Sequence, residues 1–339
     1  MKIQFLSRRN HFQLLCRELE PYNIEYEIID NRKARNFFAL PSRYYINRLN
    51  SDLLVSHNPY YGLYGAKQAK ISGKIDELAF RLKADHWTEL DESELSYKHK
   101  IGNMIKRYQY NSSINYVDFI ISISEYMKNV ANSHNIDKKI YVMYNGVDIE
   151  RFHERNVDPK YSSELLCIMN FNIPKKILLL ENFFKLYKEM DLKYKVNVLG
   201  DGEFLDRIKL LVKHLGLTEK ITFKGYVTDI EYYYNNCDIV IHPSNLESFG
   251  MIFLEAGASA KPCVTTDVGA TSEIIVNNKT GFITASMYEF INKIDSLMGN
   301  PEKRIKIGKN AKKRIYESFT WNKIAEMFVK ILEKENILT

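Results

Sequence analysis

The run Ile241-His-Pro-Ser-Asn-Leu-Glu-Ser-Phe-Gly-Met-Ile-Phe-Leu-Glu255 changes its hydrophobic rhythm halfway along. Asp238–His242, with the apolar, β-branched Ile239, Val240 and Ile241 at its centre, reads as a buried strand ending near His242. Pro243, Ser244 and Asn245 are loop chemistry. The apolar residues that follow Gly250 predict a helix from about that glycine. Glu247 then falls in the strand–helix loop, and Glu255 a turn into the helix.

The same junction recurs around it. Pro262 to Glu273 predicts a strand, a Gly269-Ala270 turn and a helix start; Gly200-Asp-Gly-Glu203 and Gly225-Tyr-Val-Thr-Asp229 are two more such turns. Buried-strand runs at Leu165–Met169, Lys195–Leu199, Ile221–Phe223 and Cys263–Thr265 alternate with helical stretches from about Lys175 and Glu203. The first half alternates likewise. Lys2–Leu6, Ile24–Ile29, Asp52–Ser56, Ala79–Asp85 and Asp118–Ile123 read as strands, and Ser93–Tyr110 as a helix. Asn145-Gly146-Val147-Asp148 and the polar residues to Ser163 separate the halves. The pattern predicts two doubly wound α/β domains facing a cleft, with ligands at the carboxyl ends of the strands.

Composition agrees with this. The chain has 339 residues, enough for about two domains, and its 45% hydrophobic and 27% charged content is globular, which argues against disorder and fibrous repeats. No apolar run approaches the ~18 residues of a membrane span, and Met-Lys-Ile-Gln-Phe-Leu-Ser-Arg-Arg, with no apolar h-region and no small-residue cleavage site, is not expected to be a secretory signal. Cys16, Cys167, Cys237 and Cys263 lie far apart, so reduced thiols in a cytoplasmic setting are expected rather than a disulfide framework or zinc site. No His/Asp/Glu cluster has metal-ligand spacing, so no metal or cofactor is expected. The net charge of +6 is mild. Residues 31–51 carry Arg32, Lys33, Arg35, Arg43 and Arg48 without an acid, among Phe37, Phe38, Tyr44 and Tyr45. That mixture fits peripheral contact with an anionic membrane, or equally a solvated face over ordinary core aromatics.

A helix start leaves backbone N–H groups, here of Phe249, Gly250 and Met251, free to bind phosphate. A carboxylate one turn further in can accept both hydroxyls of a ribose. Alone, the Glu pair is as compatible with a capped amphipathic helix. Four such junctions in one half of the chain point to a nucleotide-diphosphate pocket.

Residues 165–283, with Val117–Ser124, Ile140–Asp148 and Phe152, resemble GT-B glycosyltransferases, above all the retaining glycosyltransferase family 4. The first 90 residues resemble it loosely; the Gly-rich turn usual after the first strand is replaced by Ser7-Arg-Arg-Asn-His11. The resemblance implies a domain at 1–148 that takes the acceptor, a donor-binding domain at 149–318, and a closing helix at 319–339 that crosses back to the first. A small, trimmed acceptor sheet is expected. Glu255 would hold the ribose and Glu247 the donor sugar. Ser248, Phe249, Gly250, Met251, Gly269 and Ala270 would surround the donor, with Gly200, Gly202, Tyr226 and Val227 on neighbouring turns. Lys175, backed by Lys176, would meet the diphosphate, and Asn170 stands where the family has an arginine. His86 would contact the donor sugar from the first domain, with His57 a weaker candidate; His242 is read as structural.

The implied reaction transfers a sugar, with retention, from a nucleotide-diphosphate sugar to a hydroxyl of a glycan or lipid-linked acceptor. Attack on the donor's own face would pass through an oxocarbenium-like transition state. The alternatives are a nucleotide-sugar epimerase of the same fold and a degenerate partner of another transferase. DNA glucosylation has only the weak support of the charge, and no nucleic-acid partner is expected.

Overall fold

The computed structural model describes residues 1–7, 12–30, 48–84, 97–154 and 163–338, with the backbone alone for Tyr61 and 97–101. His86, residues 31–47 and the turn at 8–11 lie outside them. The chain forms two compact units, Met1–Gly146 with Trp321–Thr339, and Val147–Thr320.

In the first unit β1 (Lys2–Ser7), α1 (Gln13–Leu19), β2 (Glu25–Asp30), β3 (Ser51–Ser56), α2 (Tyr61–Ile71), β4 (Ile75–Leu82), α3 (Tyr97–Ile114), β5 (Phe119–Ser122), α4 (Glu125–Ser133) and β6 (Lys139–Val142) follow one another. The strands pair in parallel in the order β2-β1-β3-β4-β5-β6. Such strands are covered on both faces, which is why β1, β3 and β5 are nearly continuous apolar runs. Among the described residues this sheet has six strands, as many as the sheet of the second unit. β4 begins four residues before the expected Ala79 and ends at Leu82, not Asp85. Asp76 and Glu77 disguise its amino end; Glu77 pairs with Lys70 at 3.8 Å at the sheet margin.

The second unit runs β7 (Glu164–Ile168), α5 (Pro174–Glu189), β8 (Lys195–Leu199), α6 (Leu205–His214), β9 (Ile221–Gly225), α7 (Ile230–Asn235), β10 (Ile239–His242), α8 (Met251–Ala258), β11 (Cys263–Thr266), α9 (Thr271–Ile274), β12 (Gly281–Thr284), α10 (Met287–Met298) and α11 (Pro301–Ser318). Its strands are also all parallel, ordered β12-β11-β10-β7-β8-β9. β8 and β9 build outward from β7 on one side, and β11 and β12 from β10 on the other. The reversal therefore falls between β7 and β10, the position where open α/β sheets take ligands. α5 buries Ile177, Leu180, Phe183, Phe184 and Tyr187, a helical stripe against this sheet.

α12 (Trp321–Lys334) returns to the first unit. Its buried face, with Ile324, Phe328 and Leu332, joins Phe5, Phe12 and Phe119 in one core, and the Phe5 and Phe328 rings lie 5.9 Å apart. Gly146 makes room for Trp321, since a Cβ there would come within 2.5 Å of the indole. Arg81, buried at the end of β4, donates from Nη2 to Asn145 Oδ1 at 2.8 Å and to the Tyr144 carbonyl at 3.3 Å. All four cysteines are buried free thiols. Among the described residues no helix is long and apolar enough to cross a membrane.

Candidate active site

The reversal between β7 and β10 sets the loop 169–173 beside the loop 243–250 at the carboxyl edge of the second sheet. The loop after β11 closes on them. Gly269 has φ +56, and a Cβ on it would lie 1.8 Å from the Glu247 carbonyl oxygen. Gly250 caps α8 with φ +92, where a Cβ would meet the Phe253 ring at 2.4 Å. Only glycine takes this region without strain and also leaves room for such an approach. Together the two hold the chain on either side of Glu247.

The Glu247 carboxylate is set among donors. Lys176 Nζ donates to Oε2 at 3.2 Å, the Ser248 N–H donates to Oε1 at 3.1 Å, and His242 Nε2 stands 3.6 Å from Oε2. Lys176 and Glu247 side chains are only 17% and 18% exposed. Burial alone would raise the carboxyl pKa; the His242 ring and the Lys176 ammonium reverse that and hold it at about 2. Lys176 arrives from the first turn of α5, which opens with Pro174.

Glu255 is held differently. The Tyr234 hydroxyl donates to its Oε2 at 2.7 Å, and Tyr234 is fully buried, edge-on to Phe152 with centroids 5.7 Å apart. Burial lifts the Glu255 pKa to about 7; the Tyr234 hydroxyl and the Arg151 charge oppose the rise, and Glu231 adds to it. Arg151 donates to Glu231 Oε2 at 2.9 Å and to the Thr228 carbonyl at 2.8 Å, with its guanidinium 5.1 Å from the Phe152 ring centroid. The turn after β9 is thereby tied to the surroundings of Glu255. Two carboxyl groups on one junction have environments that push their pKa values apart.

The expected residues distribute as follows. Glu247, Ser248, Gly250, Met251, Gly269 and Ala270 gather at the β10–α8 junction. The Phe249 ring is buried 6.5 Å from Phe319, so its part at the junction is played by the backbone. Gly200 and Gly202 press against the loop after β7, where a Cβ would come within 1.8 Å of the Met169 carbonyl and 2.4 Å of the Phe171 backbone. Asn170 is exposed there and accepts from the Asn172 backbone at 2.9 Å. Tyr226 and Val227 follow β9 at the sheet's edge, Tyr226 exposed. Lys175 is exposed, and it is its neighbour Lys176 that meets Glu247. His57 follows β3 in the first unit, edge-on to Phe12 at 5.3 Å. His242, set aside as structural, belongs to the Glu247 cluster. Tyr234 and Arg151 carried no motif that marked them. Among the described residues no group of three or more His, Cys, Asp or Glu could hold a metal ion.

Comparison with known proteins bears on the family and the fold. Residues 148–314 match the family model for glycosyl transferases group 1, and residues 17–151 that for glycosyltransferase family 4. An uncharacterized glycosyltransferase of Methanocaldococcus jannaschii is 27% identical over 239 residues, 69% of this chain and 65% of that protein. The capsular polysaccharide biosynthesis glycosyltransferase CapM of Staphylococcus aureus is 29% identical over 237 residues, 63% of this chain and 62% of CapM. The chain thus spans a little under two thirds of the length of both relatives. The crystal structure of Anabaena HepE in complex with UDP superposes with a TM-score of 0.73 over 98% of this chain and 100% of that one, at 19% identity. Two Rossmann-like domains of this kind define the GT-B glycosyltransferases. Within them, the chain belongs to the group 1 family.

Proposed function

We propose that the chain moves a sugar, with retention of anomeric configuration, from a nucleotide-diphosphate sugar to a hydroxyl of a glycan or lipid-linked acceptor. The observation that carries this reading is the placing of Glu247 and Glu255 on either side of the α8 start, at the strand-order reversal of the second sheet. Glu255 takes the ribose hydroxyls. Glu247, ionised at all working pH values, accepts from hydroxyls of the donor sugar. Lys175 and Lys176 at the α5 start, with the N–H groups at the α8 start, receive charge from the departing diphosphate. The family resemblance assigns His86 to the sugar, the first unit to the acceptor, and the leaving-group charge to these lysines rather than to a metal. Anabaena HepE was solved with UDP, which makes a uridine diphosphate donor the first to try.

The test is a thermal-shift panel of UDP, GDP, ADP, TDP and CMP on wild type and Glu255→Ala. A nucleotide bound only by the native state adds about 2.7 kcal/mol at a hundredfold excess over Kd. One nucleotide is expected to raise the wild-type melting temperature and to leave the variant nearly unchanged. If none shifts the wild type, the donor reading fails and the degenerate-partner alternative replaces it.

A further inference from the structure

The second unit begins with a short strap whose side chains act on the Glu255 pocket. Asp148 Oδ1 accepts the N–H groups of Glu150 at 3.1 Å and of Arg151 at 3.2 Å, and the Asp148 carbonyl accepts that of Phe152 at 2.8 Å. An aspartate bonded to the backbone two and three residues on fixes a tight turn. The strap is tied down at both ends, by Val147 N–H on the Phe319 carbonyl and by Glu154 on Lys312 of α11 at 3.2 Å. Between these ties, Arg151 and Phe152 both reach α7.

Phe152 acts by packing, since its ring stands edge-on to Tyr234, whose hydroxyl donates to Glu255. Arg151 acts by charge and by hydrogen bonds. Its Nε donates to Glu231 Oε2 at 2.9 Å, with Nη2 2.8 Å from the same oxygen, and Nη2 also donates to the Thr228 carbonyl at 2.8 Å. One guanidinium fork thus joins α7 to the turn 226–229 after β9. An ion pair whose side chains are 43% and 23% exposed adds little to stability. Its effect falls on buried Glu255. Burial raises the Glu255 pKa, the Tyr234 hydroxyl and Arg151 oppose the rise, and Glu231 adds to it. Burial keeps Tyr234 and the neighbouring thiols of Cys237 and Cys263 neutral. Lys261 donates to the Asn235 carbonyl, and Arg314 of α11 to the Glu273 and Ile274 carbonyls. Among the described residues, the charges that act on Glu255 are therefore those of Arg151 and Glu231.

We propose that Arg151 is a positioning residue for the donor nucleotide, acting through Glu255 and the turn 226–229. It cancels the charge of Glu231, which would otherwise repel the Glu255 carboxylate, and it holds the Thr228 backbone. Glu255 then ionises near neutrality and can accept both ribose hydroxyls. This role rests on the reading of Glu255 as the ribose ligand.

Carbon-13 NMR of the Glu255 carboxyl reads its midpoint directly, and calorimetric titration of UDP at pH 7 and pH 9 reads the consequence. Arg151→Gln should raise the midpoint by about one pH unit. The ionised fraction at pH 7 then falls from about a half to about a tenth, so UDP should bind about fivefold more weakly there, with much less change at pH 9. Arg151→Lys keeps the charge and should keep the midpoint. Adding Glu231→Gln to Arg151→Gln removes the unmatched anion and should bring the midpoint back to the wild-type value. A clasp that only braced the fold would show no such rescue, because the second substitution restores no bond. The variants should melt like wild type at pH 5, where Glu255 is protonated in all of them, which certifies their fold. The proposal is overturned if Arg151→Gln leaves the midpoint in place, or if Glu231→Gln does not reverse its shift. A midpoint that moves and returns in a protein that binds none of the five nucleotides would instead remove the ribose reading and leave Arg151 in control of Glu255.

Discussion

Glu247 and Glu255 bracket one loop and one helix start, yet the protein keeps them in opposite conditions. Glu247 is surrounded by an ammonium, an imidazole and a backbone N–H, and its pKa falls to about 2. Glu255 is buried and accepts from the Tyr234 phenol, the cation that acts on it, Arg151, is already hydrogen-bonded to Glu231 and Thr228, and its pKa rises to about 7. Both groups are largely buried, so burial does not distinguish them. What differs is whether a positive charge was built in beside them. The first is a permanent anion, whereas the second changes state near neutrality.

The largest effect should come from the backbone that holds the Glu247 end. Gly269→Ala combines positive-φ strain with a Cβ 1.8 Å from the Glu247 carbonyl. It should cost about 3 kcal/mol in urea denaturation and abolish the nucleotide thermal shift. Gly216→Ala is the control: φ is +67 there, but nothing lies within 4 Å of the added atom, so about 1 kcal/mol is expected. Equal losses in the two would mean that conformational strain, not loop contact, matters at Gly269. Next comes Lys176→Met, which leaves the Glu247 carboxylate without its ammonium. A loss of about 3 kcal/mol is expected, with an upward move of the Glu247 pKa seen by carbon-13 NMR of the carboxyl. An unmoved pKa would place the control of Glu247 in His242 alone.

The smaller effects belong to the Glu255 end and depend on pH. Its folded pKa is raised above the ordinary 4.5, so its contribution to stability declines as pH climbs from 4.5 to about 7. Nucleotide binding should run the other way, because the ribose hydroxyls need the ionised carboxylate. Affinity is expected to fall about tenfold per pH unit below the midpoint. Calorimetric titration of the stabilising nucleotide across this range would show it. Tyr234→Phe removes the hydroxyl that favours the ionised form and should shift the midpoint upward, with binding at high pH little changed. A midpoint that stays put would reduce Tyr234 to a packing residue.

Much of the architecture was legible because parallel strands buried on both faces are apolar without interruption. Lys195–Leu199 coincides with β8, and most of the other strands fall within one or two residues of their expected ends. β4 was misplaced because acidic residues occupy its amino end, and β12 went unseen because four residues beginning with glycine carry little periodicity. The Glu pair and the glycine turns could be located because spacing and φ requirements are local properties. Lys176, His242 and Tyr234 could not be ranked in that way. Lys175 and Lys176 differ only in which side of a helical turn they occupy, and the packing of α5 on its sheet decides that. The partner of Tyr234 lies 21 residues on, at a distance set by the passage from α7 through β10 to α8.

The return of α12 to the first unit also governs the order in which the chain becomes native. Residues 147–320 hold everything the second unit needs, and they enter and leave it side by side, with the Val147 N–H bonded to the Phe319 carbonyl at 2.9 Å. The first unit is synthesised earlier, but its core lacks Ile324, Phe328 and Leu332 until the ribosome has passed them. At about 5–20 residues per second, the 174 intervening positions keep that apolar face open for roughly 9 to 35 seconds. The half of the molecule translated second is therefore the half that can finish first, and the nascent first unit is the natural client for a chaperone.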